Sequence, residues 1–298
     1  MTSNNFIYKS QKTKCRFSKR KYYLSFLFVV LVVIFLYFNL RDKRQNLNNN
    51  QQQNHENTIQ TKTKIESQPQ DQQKKIDLQP VIDSFTSRNP GNYGIEIIDT
   101  NGNKLAEENP DKQFFTASIY KLFVAYVGYQ RIDDKTFSKD DSYLTGYTRG
   151  QCLDAMIRDS YSPCAEKMWN ELGKDKLTSI MQDYGLKNTS LTGLNTSASD
   201  TAIILRKIAN GEGLSAESQQ AFLSSMDEQE AKYRRGLPAG FSKLKVYNKV
   251  GWDEDRLWHD ASIVQLENGQ KIIVCVFTTG LNSSIVAKLG GEIEKTLE

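Results

Sequence analysis

Residues 41–75 of this 298-residue chain, RDKRQNLNNNQQQNHENTIQTKTKIESQPQDQQKK, are dominated by Asn and Gln and nearly free of large apolar side chains. A segment of that composition buries too little apolar surface to offset the entropy of ordering it, so it reads as a disordered tether. Any core must therefore come from residues 76–298, which are enough for one domain of ordinary size. As a flexible coil the tether has a root-mean-square reach on the order of 30 Å.

Ahead of the tether, Tyr22 to Leu40 reads YYLSFLFVVLVVIFLYFNL, 19 residues without a charge. At 1.5 Å per helical residue this run matches a bilayer core of about 30 Å. A cleavable signal peptide has a shorter apolar run ending in small residues, whereas this one ends FLYFNLRDKR. It is therefore predicted to be an uncleaved transmembrane anchor. Lys9, Lys12, Lys14, Arg16, Lys19, Arg20 and Lys21 precede it, against Arg41, Lys43 and Arg44 just after it. The positive-inside rule then makes residues 1–21 a basic cytoplasmic tail and sets the rest outside a single-pass cell-membrane anchor. Net charge is +4 and the basic excess belongs largely to that tail, so nucleic-acid binding is not suggested.

Within 76–298 the periodicity changes along the chain. IDLQPVIDSFTSRN (76–89) carries apolar residues at helical spacing, YGIEIID (93–99) is strand-like, and TNGNK turns the chain into a second strand near Lys104 to Ala106. Ala117 to Gln130 reads as a helix. So do the segments CLDAMIRD, CAEKMWNELG, DKLTSIMQDYG and SDTAIILRKIANG. LKVYNKVGW (244–252), HDASIVQL (259–266) and KIIVCVFTTG (271–280) are β-type, and a helix over about 283–297 ends the chain. Strands at both ends around a helical middle predict an α+β domain, its antiparallel sheet assembled from both termini with an inserted helical block.

A serine followed three residues later by lysine places both on one helix face, where a deprotonated amine can take the hydroxyl proton. The spacing occurs three times, at Ser18 and Lys21, Ser118 and Lys121, and Ser242 and Lys245; only Ser118 opens an apolar helix, in FFTASIYKLFVAY. Taken alone, that pair is equally readable as a helix N-terminus with a solvated lysine. Two later segments change the balance. S-x-x-K, S-D-N and K-T-G in that order mark class A β-lactamases and penicillin-binding proteins, and here SIYK (118–121) is followed by SYS (160–162) and KVG (249–251). AMIRDSYSPCAEKMWNELG, LNTSASDTAIILRKIANGEGLS, YRRGLPAGFSKLKVYNKVGW and HDASIV extend the likeness. The chain thus resembles the class A β-lactamase-like serine hydrolases over residues 76–298.

The resemblance implies a β-lactamase/transpeptidase-like fold and an acyl-enzyme on Ser118, formed with a β-lactam or a peptidoglycan peptide. Lys121 would take the proton of Ser118, Ser160 would pass it toward the leaving nitrogen, and Lys249 would hold the site positive for a substrate carboxylate. The backbone N–H groups of Ser118 and Trp252 would meet the oxyanion, with Gly251, Tyr161 and Ser162 on the substrate side. No metal or cofactor is implied. His55 lies in the tether, so a Ser-His-Asp arrangement would rest on His259 alone, which reads as a residue at a strand start.

Three departures from the family pattern bear on chemistry. Ser162 stands where S-D-N has Asn, Val250 where K-T-G has a hydroxyl, and GLKNTSLTGLNTSASD (185–200) has no Glu where class A enzymes keep the one that activates the deacylating water. Glu166 falls instead in the helix after SYS and reads as a surface carboxylate. Acylation is therefore expected, and slow release of the acyl-enzyme.

Cys152 and Cys164 flank the SYS segment; a disulfide there would clamp the turn carrying Ser160, the alternative being two buried thiols. Cys275 lies in a strand and reads as core. Arg234 is a candidate for the substrate carboxylate in place of the hydroxyl missing at Val250, and with Arg235 otherwise reads as a solvated loop charge. Tyr161, Trp252, Trp258 and Phe115 either line the cleft or pack in the core. The competing functional class is a catalytically silent cell-surface domain that binds peptidoglycan or a partner protein.

Overall fold

The computed structural model describes residues 76–253 and 256–298, so the predicted tail, anchor and tether lie outside the described residues. Among the described residues no helix is long and apolar enough to cross a membrane.

The strand-like runs form one five-stranded antiparallel sheet. Helix α1 (Gln79–Arg88) leads into β1 (Asn92–Asp99) and β2 (Lys104–Glu108). The remaining three strands, β7 (Lys245–Asp253), β8 (Leu257–Gln265) and β9 (Lys271–Thr279), come from the far end of the chain. The spatial order is β2-β1-β9-β8-β7, which seats β9 between β1 and β8. Alternation along the strands sorts side chains into two layers. Ile95, Ile97, Ile272, Val274 and Val276 pack on one face, against α1 and the closing helix α9 (Ser283–Leu297). Ile98, Ile273, Cys275 and Phe277 pack on the other, against the inserted helices. Both faces are covered, so the central strands are buried almost throughout.

The insertion begins with β3 (Phe114–Phe115) and a 3₁₀ turn over Ala117–Ile119, then α2 (Tyr120–Asp133). Tyr120 to Tyr129 are all buried, the mark of a helix surrounded on every side. The short hairpin β4 (Ser142–Leu144) and β5 (Tyr147–Thr148) leads to α3 (Arg149–Arg158), α4 (Ser162–Leu172) and α5 (Lys174–Asp183). Next come β6 (Asn195–Thr196), paired with β3, then α6 (Ala198–Asn210), α7 (Ala216–Asp227) and the one-turn α8 (Leu237–Gly240).

The α+β expectation holds, with three local differences. The helix expected from Ala117 starts at Tyr120, because residues 117–119 are wound into the tighter 3₁₀ turn. The pairs β3–β6 and β4–β5 were not foreseen, since strands of two or three residues carry no period. Helix α7 was missed because its sequence, AESQQAFLSSMD, is largely polar.

Cys152 on α3 and Cys164 on α4 are joined in a disulfide, which excludes the two-thiol alternative. Their sequence separation is 12 residues. Closing a loop of that size in the unfolded chain stabilises the fold by about 2–4 kcal/mol. Urea denaturation with and without reductant should differ by that amount, and the double variant Cys152→Ser, Cys164→Ser should match the reduced protein.

Candidate active site

Four stretches of chain meet at one edge of the sheet. Ser118, half-buried, stands in the 3₁₀ turn after β3. Ala117 just before it has φ +43°, in the left-handed region that a residue with a Cβ adopts only under constraint. The constraint is visible on three sides. Thr116 N donates to Leu194 O at 2.7 Å. His259 bonds Phe115 O through Nε2 at 2.9 Å, while its Nδ1 accepts from Thr278 N at 3.2 Å. On the third side Gly251 of β7 presses on the turn: a Cβ there would lie 2.8 Å from Thr116 O and 2.9 Å from Ile119 Cγ1.

His259 is buried inside β8, stacked on Phe277, and burial pushes its imidazole down to about 4. With Nδ1 accepting, Nε2 carries the proton and donates to Phe115 O. Both ring nitrogens are held by backbone, so His259 positions the segment before Ser118 and no Ser-His-Asp arrangement forms.

Lys121, the second residue of α2, is fully buried, and its Nζ donates to Ser160 O at 2.6 Å, Ser160 Oγ at 3.2 Å and Ser162 Oγ at 3.0 Å. Lys249 reaches the same hydroxyl from β7, Nζ to Ser160 Oγ at 3.0 Å, and also donates to Val250 O at 3.1 Å. A serine oxygen has two lone pairs, and here both face ammonium or amine donors, so the Ser160 O–H is left to donate elsewhere. Ser160 is held in this position at φ +51°, between the disulfide-linked α3 and α4. Burial lowers the Lys121 amine to about 8, against a smaller upward pull from Glu166. Lys249 is driven well below its ordinary value by burial and by Lys121, with Asp260 pulling the other way. Among the described residues no hydrogen bond joins Ser118 Oγ to Lys121 Nζ. Catalytic hydrogen bonds often tighten only when substrate is bound.

A cleft of about 420 Å³ opens beside Ser118. Ser162 and Trp252 border it, as the sequence suggested for the substrate side, and so does Phe115. Trp252 and Phe115 are the exposed large hydrophobic residues of the described chain, and both stand at this cleft. Two expectations need correction. Tyr161 does not border the cleft; its ring stacks on Tyr147, with centroids 5.4 Å apart. Arg234 is neither a solvated charge nor a cleft residue, because its guanidinium donates to the carbonyls of Met226, Asp227 and Val246 and to Asn248 Oδ1, tying α7 to the edge of β7. For Trp258 the core alternative is the one realised, in the layer beneath α9. Val250 faces that same layer, fully buried, so the side chain at this position is turned away from the cleft.

The cleft also holds Tyr120, Trp169, Asn170, Leu194 and Asp253, which sequence reasoning passed over, and Glu166, which it read only as a surface carboxylate. Ser162, Glu166 and Asn170 are four apart on α4 and share one face. That spacing was the available signal, and only the packing of α4 shows which face meets the cleft. Among the described residues no group of His, Cys, Asp and Glu is arranged to hold a metal ion.

A family described as "Beta-lactamase enzyme family" matches residues 75–297. No curated protein matches the chain. Among solved structures, a point mutant of the class A β-lactamase of the last common ancestor of Gram-negative bacteria aligns with TM-score 0.66 at 20% identity, covering 74% of this chain and 98% of that one. A mutant of PBP-A, solved as its acyl-enzyme complex with penicillin G, aligns with TM-score 0.66 at 21% identity, covering 73% and 95%. A β-lactamase from Chitinophaga pinensis aligns with TM-score 0.63 at 17% identity, covering 72% and 96%. At these identities the structural matches establish the shared fold.

The contact between Gly251 and the Ser118 turn leaves no room for a methyl group. Gly251→Ala is expected to destabilise the protein by about 1–3 kcal/mol through overpacking, measured by urea denaturation, and a larger side chain such as in Gly251→Val should cost more.

Proposed function

The chain belongs to the beta-lactamase enzyme family and is a β-lactamase-like serine hydrolase, and from that premise we propose that Ser118 forms an acyl-enzyme with β-lactams or with cell-wall peptides. The observation that carries this reading is the Ser160 hydroxyl, held between the amines of Lys249 and of Lys121, the lysine that follows Ser118 in the SIYK segment.

Each group then has a task its surroundings fit. Neutral Lys121 accepts the Ser118 proton as Oγ attacks the carbonyl carbon. The oxyanion is met by the backbone N–H groups of Ser118 and Trp252, on two segments that the close approach of Gly251 to Thr116 and Ile119 presses together. Ser160, whose lone pairs are occupied by the two amines, donates its proton to the leaving nitrogen and regains one from Lys121 or Lys249. A substrate carboxylate approaching Lys249 favours its charged form. Val250 contributes nothing to that carboxylate, being buried on the other side of the sheet. The apolar rim of Phe115 and Trp252 suits a substrate with an aromatic or aliphatic acyl group.

Residues 22–40 supply the reading of place: a single-pass anchor in the cell membrane, with the domain outside it on the 41–75 tether. Its support is the uncharged 19-residue run and the basic residues before it. Deleting residues 2–40 should release the protein from the membrane fraction.

The silent-domain reading has one observation in its favour, the lack of a Ser118–Lys121 hydrogen bond among the described residues. A fluorescent penicillin separates the two. Wild type should become covalently labelled, with the mass shift on the peptide containing Ser118, and Ser118→Ala should not; an unlabelled wild type would establish the silent reading. Since Lys121 acts as the neutral amine and titrates at about 8, roughly a tenth is competent at pH 7. The labelling rate should rise about tenfold per pH unit below that value and level off above it.

A further inference from the structure

The loop 185–200 carries no Glu, which is why slow release of the acyl-enzyme was expected, yet the cleft is not without carboxylates. The loop's own acid, Asp200, is buried and accepts from Asn188 N and Thr189 Oγ1, both at 2.7 Å, so it holds the loop together. Asp253 borders the cleft but is paired with Arg256 at 2.5 Å. Glu166 differs from both. It borders the cleft together with Ser118 and Ser162, it is solvent-exposed, and among the described residues neither an ion pair nor a hydrogen bond engages it. Its carboxylate also pulls the Lys121 amine upward against the larger effect of burial.

We propose that Glu166, on helix α4, is the general base that hydrolyses the Ser118 acyl-enzyme, taking over from a different element the task for which the 185–200 loop has no residue. This rests on the acyl-enzyme reading above. A water between Glu166 and the ester gives one proton to the carboxylate as its oxygen bonds to the acyl carbon. The tetrahedral intermediate collapses with cleavage of the bond from that carbon to Ser118 Oγ. The proton held by Glu166 passes to Ser118 Oγ, directly or through Lys121, so ester and water become a carboxylic acid and the free serine, with Glu166 again ionised. Asn170, one turn further along the same face, offers an amide to seat the water. The geometry also separates the two half-reactions: Glu166 acts on release, and its effect on acylation is limited to its electrostatic pull on Lys121.

The test follows one labelled penicillin through both steps in the full-length protein, with wild type and Glu166→Gln compared. Wild type should be labelled and then lose the label with release of the hydrolysed penicillin. Glu166→Gln should be labelled at least as fast at pH 7, since removing the carboxylate lowers Lys121 further, and should keep its label about 10²–10⁴-fold longer. A urea denaturation midpoint like that of wild type would show that the variant is folded. A label lifetime unchanged in Glu166→Gln, or a wild-type label that is never released, would overturn the assignment while leaving acylation of Ser118 intact. An unlabelled wild type would overturn the acyl-enzyme reading itself, an outcome distinct from both.

Discussion

Two lysine amines buried against one serine hydroxyl form the interaction on which the rest of this domain depends. Lys121 comes from a helix enclosed by the core and Lys249 from the edge strand of the sheet, and both end on Ser160 Oγ. Burying two like-signed amines so close together is unfavourable unless their charge is reduced or their N–H groups are satisfied. Both conditions are met: each amine has a lowered affinity for its third proton, and each donates to serine and carbonyl oxygens. The energetic cost is the source of the chemistry, because an amine that is part neutral near physiological pH is a base.

Holding that arrangement requires local strain at two of its turns. Ala117 and Ser160 sit at positive φ, each at a cost of about 1–3 kcal/mol. Around the first, Leu194 O, His259 and Gly251 close in; around the second, the Cys152–Cys164 bridge ties the two helices that meet at the turn. The oxidised bridge belongs to the inserted helices, whereas the neutral His259 and the missing side chain at 251 are register partners on β8 and β7. All three keep Ser118 and Ser160 where the two lysines can use them.

The helical insertion also decides how the cleft is furnished. One face of α4 contributes Ser162, Glu166 and Asn170 to its lining, and Phe115 and Trp252 are the exposed apolar residues beside them. A carboxylate from α4 therefore stands where the 185–200 loop supplies only Leu194. The short loop is stabilised from within by the buried Asp200, Thr189 and Thr196.

Local pattern was enough for the long elements: the sheet strands and the closing helix over Ser283–Leu297 follow from apolar period alone, because a residue's neighbours in sequence set which of its faces is buried. The order of SIYK, SYS and KVG likewise named Ser118, Lys121, Ser160 and Lys249 as one group. What lay beyond the sequence was direction and contact. Arg234 was spoken for by carbonyls of α7 and β7, Tyr161 by Tyr147, and Glu166 turned toward the cleft, though nothing near it in the chain distinguishes it from a solvated helix acid. Periodicity says that a face exists, but the partner that covers it belongs to another element of the fold, and only the packing of those elements decides which side chains meet the substrate.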